Sequence, residues 1–293
     1  MQKKNKKILN HLIPNNIIKS YTSKKNLYKE IKTLLKRLYL QTYRRPSSLT
    51  ISIIQPLLWL LLFGALFQNA PINLFETYNI KYREFLNPGI LIFTAFNSAI
   101  NTGLPIIFDR EFGFLNRLLA SPLINKNSLI YSCIMNGWLI TIIQILVIVI
   151  FNMYQTGKIV TINQLLINII VSTLIIINIS SFSIYSAFIL PGHIEFIALT
   201  TLFINLPTLF ASTALAPLLF MPNWLQFISC INPLTYAIEI IRKSNLEKNF
   251  SLATSIMHTL WFDVDAKTGI LILILINILS FSSVLKIIKY KYD

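Results

Sequence analysis

Residues 127–157 read NSLIYSCIMNGWLITIIQILVIVIFNMYQTG, with no charged side chain anywhere in the stretch. A helix needs about 20 apolar residues to cross the hydrocarbon core of a bilayer. This stretch supplies them, and its polar residues are Ser, Thr, Asn and Gln, all of which a helix bundle tolerates. The same gap in charge recurs at 46–75, 85–108, 159–194, 196–238 and 268–285. A soluble domain carries roughly 25% charged residues, and this chain carries 13%. The apolar runs do not alternate with period two, which argues against a membrane β-barrel. The reading is an all-α integral membrane protein with about six transmembrane helices. They are placed near 48–67, 86–107, 128–151, 164–190, 196–219 and 268–288. Pro56 predicts a kink in the first span, the second opens near Pro88, and Pro207 lies inside the fifth.

The net charge of +15 raises nucleic acid as a partner, but its placement points elsewhere. Residues 1–45 hold 13 of the 26 Lys and Arg and a single acid, Glu30. That block sits immediately before the first span, where the positive-inside rule expects a cytoplasmic flank. With the N-terminus inside, the inner segments (1–47, 109–127, 191–195, 286–293) hold 19 basic residues and the outer ones 7. The topology is therefore read as N-in and C-in, with no nucleic-acid role. Residues 1–23 form a flexible basic tail. No apolar run in 1–22 marks a secretory signal.

Residues 24–45 read as an amphipathic interfacial helix. Leu27, Ile31, Leu34, Leu35 and Leu38 share one face, while Lys25, Lys29, Lys32 and Lys36 fall largely elsewhere. Such a helix before a span lies in the headgroup layer; a solvated helix making ordinary protein contacts is the competing reading. Residues 46–293 read as one transmembrane domain, without an internal repeat. Cys133 and Cys230 read as small apolar residues. His11, His193 and His258 share no ligand spacing, so no metal site is expected. Small and amide side chains in spans usually turn to other helices rather than to lipid. Asn97, Asn101, Ser181 and Asn205 are therefore candidates for lining a polar path.

Two segments are more than spans. Residues 108–123 read FDREFGFLNRLLASPL and follow the second span on the inner side. Phe108, Phe112, Leu115 and Leu119 make one apolar face at helical spacing, and Pro122 disfavours helix at Ser121. A short amphipathic inner helix at 109–121 is a natural docking surface; a helix end with a charged loop is the alternative. Residues 217–242 are broken by Pro217, Pro222 and Pro233. The uncharged run at 196–238 is too long for one span and too short for two plus a loop. A span followed by short helices dipping back from the outer face fits it. Non-helical backbone at that depth needs protein or water against it. An outer loop anchored at the interface by Trp224 and Tyr236 is the alternative.

At these two segments the chain resembles the ABC-2 type transporter permeases. Their inner loop opens on an acidic-Arg-Glu-x-Gly motif, here Asp109, Arg110, Glu111, Phe112 and Gly113. It closes on Leu-Leu-x-Ser-Pro, here Leu118, Leu119, Ser121 and Pro122 around Ala120. Their last third carries Pro-x-Trp-Leu, here Pro222, Trp224 and Leu225, then Asn-Pro-Leu-Thr-Tyr, here Asn232 to Tyr236. A downstream Arg follows, here Arg242. The resemblance covers about 24–293. Two departures stand out: Phe114 replaces the frequent Thr after the motif glycine, and Asn116 replaces a second acid. With the family, the Ile/Asn/Lys-rich composition looks like that of permeases encoded in red algal plastids. A bacterial inner membrane is the alternative location.

The resemblance implies a permease subunit of an ATP-driven exporter, a second permease copy as homodimer partner, and a separate ABC ATPase. The chain has no P-loop motif, so ATP and Mg would be held by that ATPase, with no cofactor and no catalytic residue here. Residues 109–122 named above would couple to the ATPase. Pro222, Trp224, Asn232, Pro233, Tyr236 and Arg242 would shape an outer gate, and Arg242 is in reach of Glu239. No acid or base lies inside a predicted span, which argues against an ion-coupled carrier and hints at an apolar, amphiphilic or lipid-linked substrate. A non-transporting assembly or cofactor-handling factor is the remaining alternative.

Overall fold

The computed structural model describes residues 24–67, 82–121, 123, 125–157, 159–189, 203–247, 250–258 and 263–292. The basic tail 1–23, Pro122, the inner segment 191–195 and the opening of the fifth span at 196–202 lie outside the described residues.

The element order is α1 (Lys24–Tyr43), α2 (Pro46–Leu66), α3 (Tyr82–Ile100), a 3-10 turn (Asn101–Gly103), α4 (Leu104–Glu111), α5 (Phe114–Ala120), α6 (Asn127–Thr156) and α7 (Ile162–Ile189). Residues 203–210 are helical. A 3-10 turn (Leu218–Phe220), α8 (Asn223–Ile231), α9 (Pro233–Leu246), β1 (Ser255–His258), β2 (Asp263–Asp265) and α10 (Ala266–Tyr292) follow. Five helices among the described residues are long and apolar enough to cross a membrane. They cover the first four predicted spans and the sixth. The second span is longer than the charge pattern predicts, running from Tyr82 to Glu111. Tyr82 and Phe85 are buried in an apolar cluster with Leu86 and Ile90, so packing extends the helix upstream of Pro88.

The second span is the core of the bundle. Its most apolar window is 72% buried, against 17% for α2 and for α10, which lie outermost. Around it, α7 packs on α10, α3, α9 and α6. The end of the bundle away from α5 carries an antiparallel hairpin of β1 and β2, whose Ile256, Met257 and Val264 are buried. Charge counting did not reveal these strands, which are too short for an alternation to register.

Helix α1 packs along α6 on the face that its sequence predicts, burying Leu34 and Leu38. Ser128 donates to the Glu30 carboxylate, a second tie between these two elements. Tyr28, Tyr39 and Tyr43 stay exposed on the other side. Helix α1 thus makes protein contacts along one face and leaves an aromatic face exposed.

Candidate functional site

The segment predicted as one helix at 109–121 is two pieces. Asp109, Arg110 and Glu111 form the last turn of α4, continuous with the second span through the 3-10 turn. Gly113 then takes a left-handed φ of 69° and caps the start of α5. A side chain at that φ is strained, so the glycine sets the break. The break re-aims the predicted apolar face. Leu115 turns inward and is 1% exposed, packed with Leu38, Ile106, Ile130 and Phe188. Leu118 and Leu119 lean on the same cluster. Phe112 faces out, 77% exposed. Leu115 is therefore part of this chain's own core and not a seat for a partner, a correction to the single-face reading. Glu111, Phe112, Gly113, Phe114, Asn116, Arg117 and Ser121 make the exposed surface.

Two residues fasten this foot. Asp109, buried, forms an ion pair with Arg37 of α1. The Arg37 guanidinium also lies 4.4 Å from the centroid of the Phe114 ring. One arginine thus touches the end of α4 and the start of α5. Arg110 turns instead toward α7 and donates to the Phe188 carbonyl. Arg37 sits 72 residues from Asp109, and no local pattern flags the pair.

Above the foot the second span is interrupted. The Ser183 hydroxyl of α7 accepts from the Gly103 N–H at 3.0 Å and donates to the Ile100 carbonyl. A side chain inserted into the backbone ladder displaces helical bonds, and the result is the 3-10 turn at Asn101–Gly103. Such turns inside a helix often mark hinges. Only glycine fits at 103, because a Cβ there would lie 2.7 Å from the Ser183 carbonyl oxygen.

The hinge borders a cavity of about 670 Å³ between α1, α2, the second span, α6 and the 203–210 helix. Asn97, Asn101 and Asn205 line it; Ser181 does not. Ser181 is fully buried elsewhere. Three of the four residues predicted to line a path therefore meet at one cavity. Asp109 and Phe112 reach its foot end, together with Arg44 and Arg45.

At the opposite end, the proline-broken segment folds into the short helices expected of it. Pro222 precedes α8 and Pro233 opens α9. The Asn232 side chain accepts from Leu234 N–H at 3.0 Å and so caps α9. Its amide donates to the carbonyls of Thr208 and Ala211 at 3.0 and 2.7 Å, tying α9 to the 203–210 helix. Tyr236 donates to the Cys230 carbonyl at 2.6 Å and closes the end of α8. Trp224 stays exposed. Arg242 is fully buried and pairs with Glu239 one turn away. It also donates to the Thr213 carbonyl at 2.7 Å and stacks 3.7 Å over the Phe85 ring. Thus α9, the 211–216 turn and the start of α3 are locked together.

Among the described residues no group of three His, Cys, Asp or Glu gathers in a metal-binding arrangement. The family model for ABC-2 type transporter matches residues 29–246. Three relatives carry the name "Putative transport permease ycf38". The protein of Porphyra purpurea is 45% identical over 91% of this chain and 91% of its own length. That of Pyropia yezoensis is 46% identical over 92% and 91%. That of Cyanophora paradoxa is 45% identical over 89% of both. These plastid-encoded relatives point to a plastid membrane for this multi-pass chain.

Proposed function

Since the chain belongs to the ABC-2 type transporter family, we propose that it is the membrane-spanning permease subunit of an ATP-driven exporter. Its ATPase is a separate chain that holds ATP and Mg, and a second permease copy completes a homodimer. Permeases of this family work with ABC ATPase partners. The substrate is apolar, amphiphilic or lipid-linked.

The observation that carries the reading is the continuity from foot to cavity. The exposed surface at Glu111–Phe112–Gly113 and Asn116–Arg117 faces away from the bundle, while Leu115 anchors it from behind. The foot belongs to the inner side, next to the basic flank. A push on it passes through α4 to the hinge at Asn101–Gly103, which forms part of the cavity wall. Arg37 shares the load with α1, whose far end also borders the cavity. Nucleotide shifts the permease between two arrangements only by binding one better than the other. The outer latch around Asn232 and Arg242 closes the path at the other end, with Pro222, Trp224, Pro233 and Tyr236 fixing its shape.

Purification in mild detergent tests the partner: an ABC ATPase is expected to come down with the chain. Glu111→Ala should weaken that association and leave the permease in the membrane. Gly113→Pro forces φ to about −65° and should uncouple ATP hydrolysis from transport. Full transport by Gly113→Pro would reject the coupling role.

A further inference from the structure

We propose that the cavity takes an amphiphile with a phosphate-class anionic headgroup carrying hydroxyls beside the anion, an assignment that rests on the permease reading above. The charge at its mouth is the first argument. Arg44 and Arg45 stand exposed in the lining where α1 hands over to α2. The Arg45 guanidinium lies 5.5 Å from the centroid of the Phe108 ring, which holds it at the rim. Arginine forks suit tetrahedral oxyanions. The acid among the lining residues is Asp109, and Arg37 already occupies it. A cationic headgroup would find no counter-charge there.

The wall above the mouth supplies the second, independent argument. Gln144 is 2% exposed and lines the cavity. Its amide nitrogen donates to Ser52 at 2.8 Å, while its carbonyl oxygen has no protein partner. The side-chain carbonyl of Asn205, another lining residue, is also unpartnered. Both oxygens are covered in this structure; a buried acceptor left unpaired costs about 1–3 kcal/mol, so a turn of either amide toward the cavity to meet a ligand hydroxyl is favoured. Ser52 follows Arg45 by about 10 Å along α2, which places the acceptors beyond the basic rim. Trp59, Phe93 and Ile90 give an apolar wall for a chain. The volume of about 670 Å³ admits a headgroup with part of its tail, within the range of small-molecule sites.

The test uses the full chain in neutral maltoside detergent and two probes with one fluorescent decyl tail. One ends in a phosphate monoester and the other in trimethylammonium; fluorescence polarisation reads binding. The phosphate probe should bind about tenfold or more tightly than the ammonium probe, as a charge-assisted contact requires. Arg44→Gln/Arg45→Gln, at exposed positions, should erase that preference with an unchanged size-exclusion profile. Asn97→Trp, which fills the cavity, should abolish phosphate binding. Equal affinity for the two probes, or a preference that survives loss of both arginines, overturns the anionic class. If Asn97→Trp still blocks both probes in that case, the cavity remains a substrate site and the permease reading stands. Phosphate binding that survives Asn97→Trp puts the anion outside the cavity and overturns the cavity assignment, while co-purification of the ATPase still decides the permease reading.

Discussion

Arg242 carries a full charge into a place with no exposed surface, and its partners explain how it stays there. Glu239 supplies the counter-charge, the Thr213 carbonyl takes a hydrogen bond and the Phe85 ring covers one guanidinium face. Removing one member of a buried pair strands the other, at a cost of about 3–5 kcal/mol. Arg242→Met should therefore lower thermal stability sharply, read as loss of the monodisperse peak after heating. Arg242→Met/Glu239→Gln should recover most of it, because no buried charge is left alone. Equal losses in the single and double variants would contradict this account of the latch. The pair between Arg37 and Asp109 is partly solvated and should behave differently. A double-mutant cycle with Arg37→Gln and Asp109→Asn should give a coupling of roughly 1 kcal/mol in stability. Arg37→Gln should raise ATP hydrolysed per substrate moved, since α1 no longer follows the foot.

Elements show where sequence stops informing. The motif at 109–122 identified the foot, and its periodicity suggested one apolar face. The wheel does not register that a left-handed glycine resets the direction between α4 and α5. Leu115 therefore looked available when it is core, while Phe112 is the exposed residue. The proline pattern at 217–242 was more informative, because each proline denies a helix a bond and marks a boundary by itself. The hinge at Asn101–Gly103 was unreadable for a different reason. It is made by Ser183, about 80 residues away, inserting between Ile100 and Gly103. Gly103→Ala puts a methyl against the Ser183 carbonyl and should cost about 1–3 kcal/mol. Transport should fall further than membrane abundance does. Asn232→Ala removes a cap and two ties at once and should cost a similar amount, checked by the same thermal assay.

At the scale of the whole molecule, composition alone announced a membrane bundle. Charge gaps marked the first four spans and the sixth, because burying charge in lipid is so costly that sequence keeps it out. The order of burial was not legible. Every gap is similarly apolar, and only packing decides that the second span is central while α2 and α10 lie outermost. Under the proposed function the ATPase docks at one end of this bundle, on Glu111 and Phe112, and leaves the other end free. Helix α6 rises about 40 Å from beside the foot to the exposed Tyr154 near its far end. A photo-crosslinking amino acid at position 112, with position 154 as the opposite-end control, measures this in intact membranes. An ABC ATPase should be captured from 112 and not from 154. Capture from 154, or from neither position while the ATPase co-purifies, would contradict it.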